Sequence, residues 1–121
     1  MNSMSTILVV DRNPRNIELL GKFLGKEGFE TLSASTREEF EQVVNLSKPI
    51  HLALVDIAGF DRGIWDQCES LRDKGIPFLV ISPKQTSRLE QEGLTHGAKG
   101  MLTKPLAARE LLGLIRSLIP T

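Results

Sequence analysis

The sequence predicts an α/β domain built on a parallel sheet, and three observations carry that prediction. Short, almost continuously apolar runs rich in β-branched residues, such as TILVV at 6–10 and PFLVIS at 77–82, read as strands covered on both faces. Between the runs, apolar residues recur at helical spacing. The two patterns alternate five times with no linker, repeat or low-complexity segment between them. Strict βα alternation implies right-handed crossovers and helices on both faces of one sheet.

Each element has its own justification. After TILVV, Asn13 and Pro14 have the chemistry of an N-cap and a first helical position. Ile17, Leu20 and Leu24 follow on one face, and Gly28 marks a stop. Gly21 and Gly25 weaken this helix by roughly 1 kcal/mol each relative to Ala. FETLSAS at 29–35 alternates, as a less buried strand should. Thr36 and Glu39 form a capping-box pattern ahead of Phe40, Val43 and Val44. IHLALVD at 50–56 is the second strand to end in an aspartate, after the one that ends at Asp11. Ile64, Cys68 and Leu71 mark a third helix closed near Gly75. Beyond PFLVIS, Ser87 and Glu90 suggest a capped short helix interrupted by Gly93. AKGML at 98–102 reads as a brief strand, and Leu111, Ile115 and Leu118 give a last helix its apolar face.

Composition narrows the functional classes. The chain has 121 residues, with 15 basic and 15 acidic side chains and no net formal charge. The cations are scattered, so neither a long-range field nor a basic stripe points to nucleic acid. Cys68 is the one cysteine, which excludes an intrachain disulfide and fits a reducing, cytoplasmic setting. The opening MNSMSTILVVD reaches an acid too soon for a signal-peptide core, and no apolar run approaches the ~20 residues of a membrane span. The loop DRNPRN after the first strand has no glycine, which counts against a dinucleotide or flavin phosphate cradle. His51 and His96 lack partners at metal-ligand spacing, so neither reads as a zinc ligand. Cys68 and Trp65 read as packing residues.

In a sheet of this kind, ligands bind outside the carboxyl ends of the strands. Those ends carry Asp11 and Arg12, then Asp56, then Ser82, then Lys104 with Pro105. A lone strand-end Asp is usually a turn or cap residue. Two carboxylates, a hydroxyl and an ammonium at corresponding ends are a constellation.

With ILVVDRNPRN, LALVDIAGFDRG, FLVISP and GAKGMLTKPL in order, the chain resembles the response-regulator receiver domains of two-component signalling along nearly its whole length. The resemblance implies the flavodoxin-like fold, with strand order 2-1-3-4-5, and a non-enzymatic signalling module. It implies that Asp56 accepts a phosphoryl group from a histidine kinase or phosphotransfer protein, that Lys104 pairs with the phosphate, and that Ser82 follows it. Asp11, Asp56 and the backbone carbonyl of Ala58 match the family's metal ligands. The Lys104–Pro105 bond matches one that is typically cis, and a downstream partner would read the helix 4–strand 5–helix 5 face. Residues 1–121 then form one receiver domain, either stand-alone or part of a longer protein. Carboxylate nucleophile, neutralising cation and hydroxyl donor together suit phosphoryl transfer.

Three departures stand against that pattern. Arg12 occupies the place of the second metal-binding acid. The loop DIAGFDRG is shorter than usual and lacks proline. Met101 replaces the aromatic residue that reports switching. Asp61, in the altered loop, reads as a turn or cap residue. Acid to Arg changes the site by two charge units, each worth about 3 kcal/mol at ~5 Å and an effective dielectric of ~20. Bound Mg²⁺ is therefore expected to be weak or absent. Arg12 either stands in for the metal, belongs to a degenerate site that signals through protein contacts alone, or points outward from its loop.

Overall fold

The computed structural model describes residues 4–84 and 86–119; the ends of the expected 1–121 domain, and Gln85, lie outside the described residues. Strands β1 (Thr6–Val10), β2 (Glu30–Ala34), β3 (Leu52–Asp56), β4 (Phe78–Ser82) and β5 (Gly100–Thr103) alternate with helices α1 (Pro14–Lys26), α2 (Arg37–Val44), α3 (Ile64–Asp73), α4 (Ser87–Thr95) and α5 (Ala108–Leu118). The strands form one parallel sheet of order β2-β1-β3-β4-β5. This is the flavodoxin-like order.

Strand alternation divides the core in two. Leu8 and Val10 of β1, Ala53 and Val55 of β3, and Phe78 and Val80 of β4 pack with Phe40, Trp65, Cys68 and Leu71, under α2 and α3. Ile7 and Val9, Leu52 and Leu54, Leu79 and Ile81 pack with Leu24, Leu111 and Ile115, under α1 and α5. Every residue of the three central strands is buried, which is why these strands read as unbroken apolar runs.

The local chemistry follows the sequence closely at most ends. Asn13 Oδ1 accepts the Arg15 N–H at 3.0 Å and caps α1, and Gly28 closes it at φ +91. Thr36 Oγ1 accepts the Glu39 N–H at 3.1 Å, while the Glu39 carboxylate reaches back to Ser35 rather than to Thr36. His51 stays outside β3, where its Nδ1 accepts the Thr6 N–H at 2.9 Å.

The structure departs from the sequence reading most around α4 and β5. The cap of α4 is Thr86, whose hydroxyl accepts the Leu89 N–H at 3.1 Å, so Ser87 is the first helical residue. Adjacent hydroxyl residues offer equivalent cap chemistry, and spacing alone does not choose between them. Gly93 does not interrupt α4; the helix runs through it to Thr95. A Cβ there would meet Met101 Cε at 3.6 Å and Ala98 Cβ at 3.7 Å, ordinary packing distances. Finally, β5 starts at Gly100, since Ala98 N–H still closes α4 on the Gly93 carbonyl at 2.9 Å. Among the described residues, no helix is long and apolar enough to cross a membrane.

Candidate functional site

The carboxyl ends of β1, β3 and β5 converge on one groove of about 750 Å³ between α1 and α5, lined in part by Asp11, Asp56 and Lys104. Alternation explains the convergence. Asp11 continues the Ile7–Val9 face, Asp56 the Leu52–Leu54 face, and Lys104 lies two residues past Leu102, all on the α1–α5 side.

Asp56 is the buried centre, only 1% exposed. Its Oδ1 accepts the Ala58 N–H at 3.0 Å, which folds the start of the following loop over the carboxylate. Its Oδ2 forms an ion pair with the Lys104 ammonium and has no directed hydrogen bond among the described residues. One carboxylate oxygen is thus fixed by the backbone. The other faces a cation.

Asp11 is also buried, and its Oδ1 accepts the Asn13 N–H at 2.8 Å. Burial raises its pKa above the ordinary carboxylate value, and the neighbouring Asp56 carboxylate raises it further; the Asn13 N–H and the Lys104 charge pull the other way. Two acids therefore share a low-dielectric pocket with one ammonium.

Ser82 is 1% exposed at the end of β4, but its hydroxyl does not bond Asp56. It donates to the Lys84 carbonyl at 2.8 Å and accepts the Lys84 N–H at 3.2 Å, so it is engaged by the β4–α4 loop. The Lys104–Pro105 bond is cis, as the resemblance implied.

Arg12 belongs to different surroundings. It continues the Leu8–Val10 alternation and lines a second groove of about 470 Å³ on the α2–α3 side, with Arg37, Phe60 and Gln67. Its guanidinium carbon lies 5.7 Å from the centre of the Phe60 ring. Gly59 makes room for it: at φ +81 it bears no side chain, and a Cβ would come within 3.3 Å of Arg12 Cγ. Of the three readings of Arg12, this arrangement matches the outward-pointing one.

Gly63 is the residue at the N-cap position of α3, while Asp61 is a turn residue ahead of that helix, within the expected turn-or-cap reading. Its Oδ1 accepts the Gly63 N–H at 2.9 Å and pairs with Arg37 at 3.2 Å. Arg37 Nε donates to Gln67 Oε1 at 3.1 Å, and Gln67 Nε2 donates to the Arg37 carbonyl at 2.7 Å, tying α2 to α3 beneath the altered loop. The sequence reading missed both this network and the Phe60 seat, because each joins segments distant in sequence.

The sequence matches the description "Response regulator receiver domain" over residues 7–116. The chain belongs to that family. The receiver is 30% identical over 124 residues to the transcriptional regulatory protein AruR of Pseudomonas aeruginosa, covering 98% of this chain and 51% of that protein. It is 25% identical over 117 residues to the heme response regulator HssR of Staphylococcus saprophyticus, covering 96% and 52%. The receiver thus spans about half the length of the curated relatives it matches. Among solved structures it resembles a CheY-like receiver domain from Methanospirillum hungatei, with a TM-score of 0.85, 25% identity, and 95% and 93% of the two chains covered. Receiver domains act in two-component signalling as generally non-enzymatic modules. They generally bind Mg²⁺ at the phosphoacceptor aspartate, and they contact histidine kinases or phosphotransfer proteins and downstream effectors.

Proposed function

We propose that this receiver accepts a phosphoryl group on Asp56 with a metal site weakened by the loss of its second acid. The observation that carries this reading is the state of the Asp56 carboxylate: buried, with Oδ1 held by the Ala58 N–H and Oδ2 beside the Lys104 ammonium. Such an oxygen is oriented and lacks a competing donor in hydrogen-bond geometry. Lys104 neutralises charge on the incoming phosphoryl oxygens, as transfer of this kind requires. Ser82 would leave the Lys84 carbonyl to donate to the new phosphate, and the β4–α4 loop would follow.

The donor set fits Mg²⁺ only in part. Asp11, Asp56 and the Ala58 carbonyl would hold the ion, which would supply further charge neutralisation. Mg²⁺ favours near-octahedral oxygen ligation and dehydrates reluctantly, so a missing carboxylate is a serious loss. Among the described residues no group of three acidic, His or Cys side chains could gather a metal. Arg12 lies over Phe60 in a groove that neither Asp11 nor Asp56 lines, so its substitution acts by withholding a ligand more than by adding charge. Phosphodonors would be a histidine kinase or a phosphotransfer protein. The α4–β5–α5 face would report the outcome, with Met101 giving a softer conformational gap than an aromatic ring.

The test is mass spectrometry after incubation with acetyl phosphate or phosphoramidate, with and without Mg²⁺. The wild type is expected to gain one acyl phosphate, and Asp56→Asn to lose it entirely. An undiminished mass shift in Asp56→Asn would remove Asp56 from this role. No shift in the wild type under any condition would leave a phosphorylation-independent interaction module, the reading that the missing acid favours.

A further inference from the structure

The C-terminal end of α4 is fastened to α3 by a cluster that phosphoryl transfer does not use. His96, the residue that ends α4, stacks on Trp65 of α3 with ring centres 5.1 Å apart and planes 14° from parallel. Its Nδ1 is in close contact with Glu69 Oε2, one helical turn along α3 from Trp65. One turn back on α4, Glu92 accepts from Arg62 ahead of α3 at 2.5 Å. Arg72 lies across Gly97, which has φ +101; a Cβ there would fall 2.7 Å from Arg72 Cδ. Trp65 is 5% exposed, so the stack is an interior contact rather than a surface one.

The opposite end of α4 leads back to the phosphoacceptor site. Thr86 caps the helix, and two residues before it Lys84 holds the Ser82 hydroxyl. The helix therefore begins just after the segment that holds Ser82, and at its other end it is tied to α3 by an imidazole.

We infer that Trp65, Glu69 and His96 form a proton-responsive clasp that fastens the C-terminal end of α4 to α3 and tightens in acid. The sign follows from the contacts. A protonated imidazole turns the Glu69 contact into a salt bridge, adds a cation to the Trp65 face, and places positive charge at a helix C-terminus. All three favour the closed clasp. Its strength is greatest at low pH and falls as pH rises, and imidazole is the side chain that ordinarily changes charge between about pH 5 and 8. The charged groups on the elements meeting there are Glu69 and Arg72 on α3, Arg62 ahead of α3, Glu92 on α4 and Lys99 ahead of β5. Of these, Arg62 is already paired with Glu92.

The experiment uses the unphosphorylated protein, so its result is independent of Asp56 chemistry. Trp65 is the one tryptophan and His51 the one other histidine, at the start of β3, which makes emission a direct reporter of the stack. Emission titrated from acid to mild base is expected to follow a single proton in the wild type and to be flat in His96→Gln. Amide exchange over residues 94–98, corrected for its intrinsic pH dependence, should be about fivefold slower in acid, the order expected for a cation at a helix C-terminus. Glu69→Gln keeps the stack but removes the charged partner, and should shrink the acid-induced slowing of exchange over residues 94–98. A His96→Gln protein that titrates like the wild type overturns the clasp, as does corrected exchange equal at both pH values. Should His96→Gln fail to fold, acid-slowed exchange in Glu69→Gln equal to that of the wild type overturns it equally.

Discussion

The two grooves at the carboxyl edge of the sheet are built from neighbouring residues and have opposite characters. On the α1–α5 side, Asp11, Asp56 and Lys104 keep two buried carboxylates against one ammonium. On the α2–α3 side, Arg12 lies over Phe60 at the rim of a polar groove. Asp11 and Arg12 are consecutive and follow the last residue of β1, Val10, yet their side chains part there, Asp11 lining one groove and Arg12 lying over Phe60 in the other. On the function proposed above, accepting a phosphoryl group and gathering a metal are separable demands on this fold. The first needs the oriented Asp56 and its cation. The second needs an additional oxygen donor that Arg12 does not supply.

Lys104→Ala strikes the first groove and carries the largest expected effect. It strands the Asp56 carboxylate in a buried position, which should cost about 2 kcal/mol of stability by the usual magnitude for a hydrogen-bonded charged group. Phosphorylation by small-molecule donors should slow at least about tenfold, equivalent to ~1.4 kcal/mol of lost transition-state stabilisation. Denaturant melts and a time course by mass spectrometry measure both. A variant that is phosphorylated at the wild-type rate would break the distinction between the grooves.

Asp11→Asn tests the crowding of acids in the same groove. A carboxyl whose pKa is raised on folding favours the folded state at low pH and opposes it as pH rises through the raised value. Removing the charge should therefore raise the melting temperature at pH 7. The gain should shrink as pH falls and Asp11 itself becomes neutral. A gain that grows in acid would show that Asp11 is stabilised as the anion, contrary to its burial beside Asp56.

Phe60→Leu touches only the second groove and should do least. It removes a cation–π contact at an exposed site, worth about 0.5–1 kcal/mol, and should leave the phosphorylation rate of Asp56 unchanged. A changed rate would mean that the seat of Arg12 is coupled to the phosphoacceptor after all.

The legibility of the sequence divides along the same line. The central strands were readable because burial on both faces leaves a continuous apolar record, and the strand-end position of Asp56 follows from that record alone. Asp61 was readable as a turn residue because its bond to Gly63 is local. The start of β5 was misread because Ala98 is buried in the core like a strand residue, while its N–H still closes the end of α4 on the Gly93 carbonyl. The Arg12 seat was out of reach for a different reason. Which way a long cation turns depends on a glycine and an aromatic ring in another loop, and no local pattern encodes that pairing. The hold of Lys84 on Ser82 was missed as well, since the residue type announces a donor and not its present acceptor.

Mg²⁺ titration calorimetry on the wild type and on Arg12→Asp tests the central claim most directly. Restoring an acid at position 12 supplies the oxygen ligand that Mg²⁺ coordination favours. The wild type should give no saturable heat at millimolar Mg²⁺, and Arg12→Asp should give a measurable binding isotherm. Tight Mg²⁺ binding by the wild type, unchanged in Arg12→Asp, would contradict the separation of phosphoacceptor from metal site.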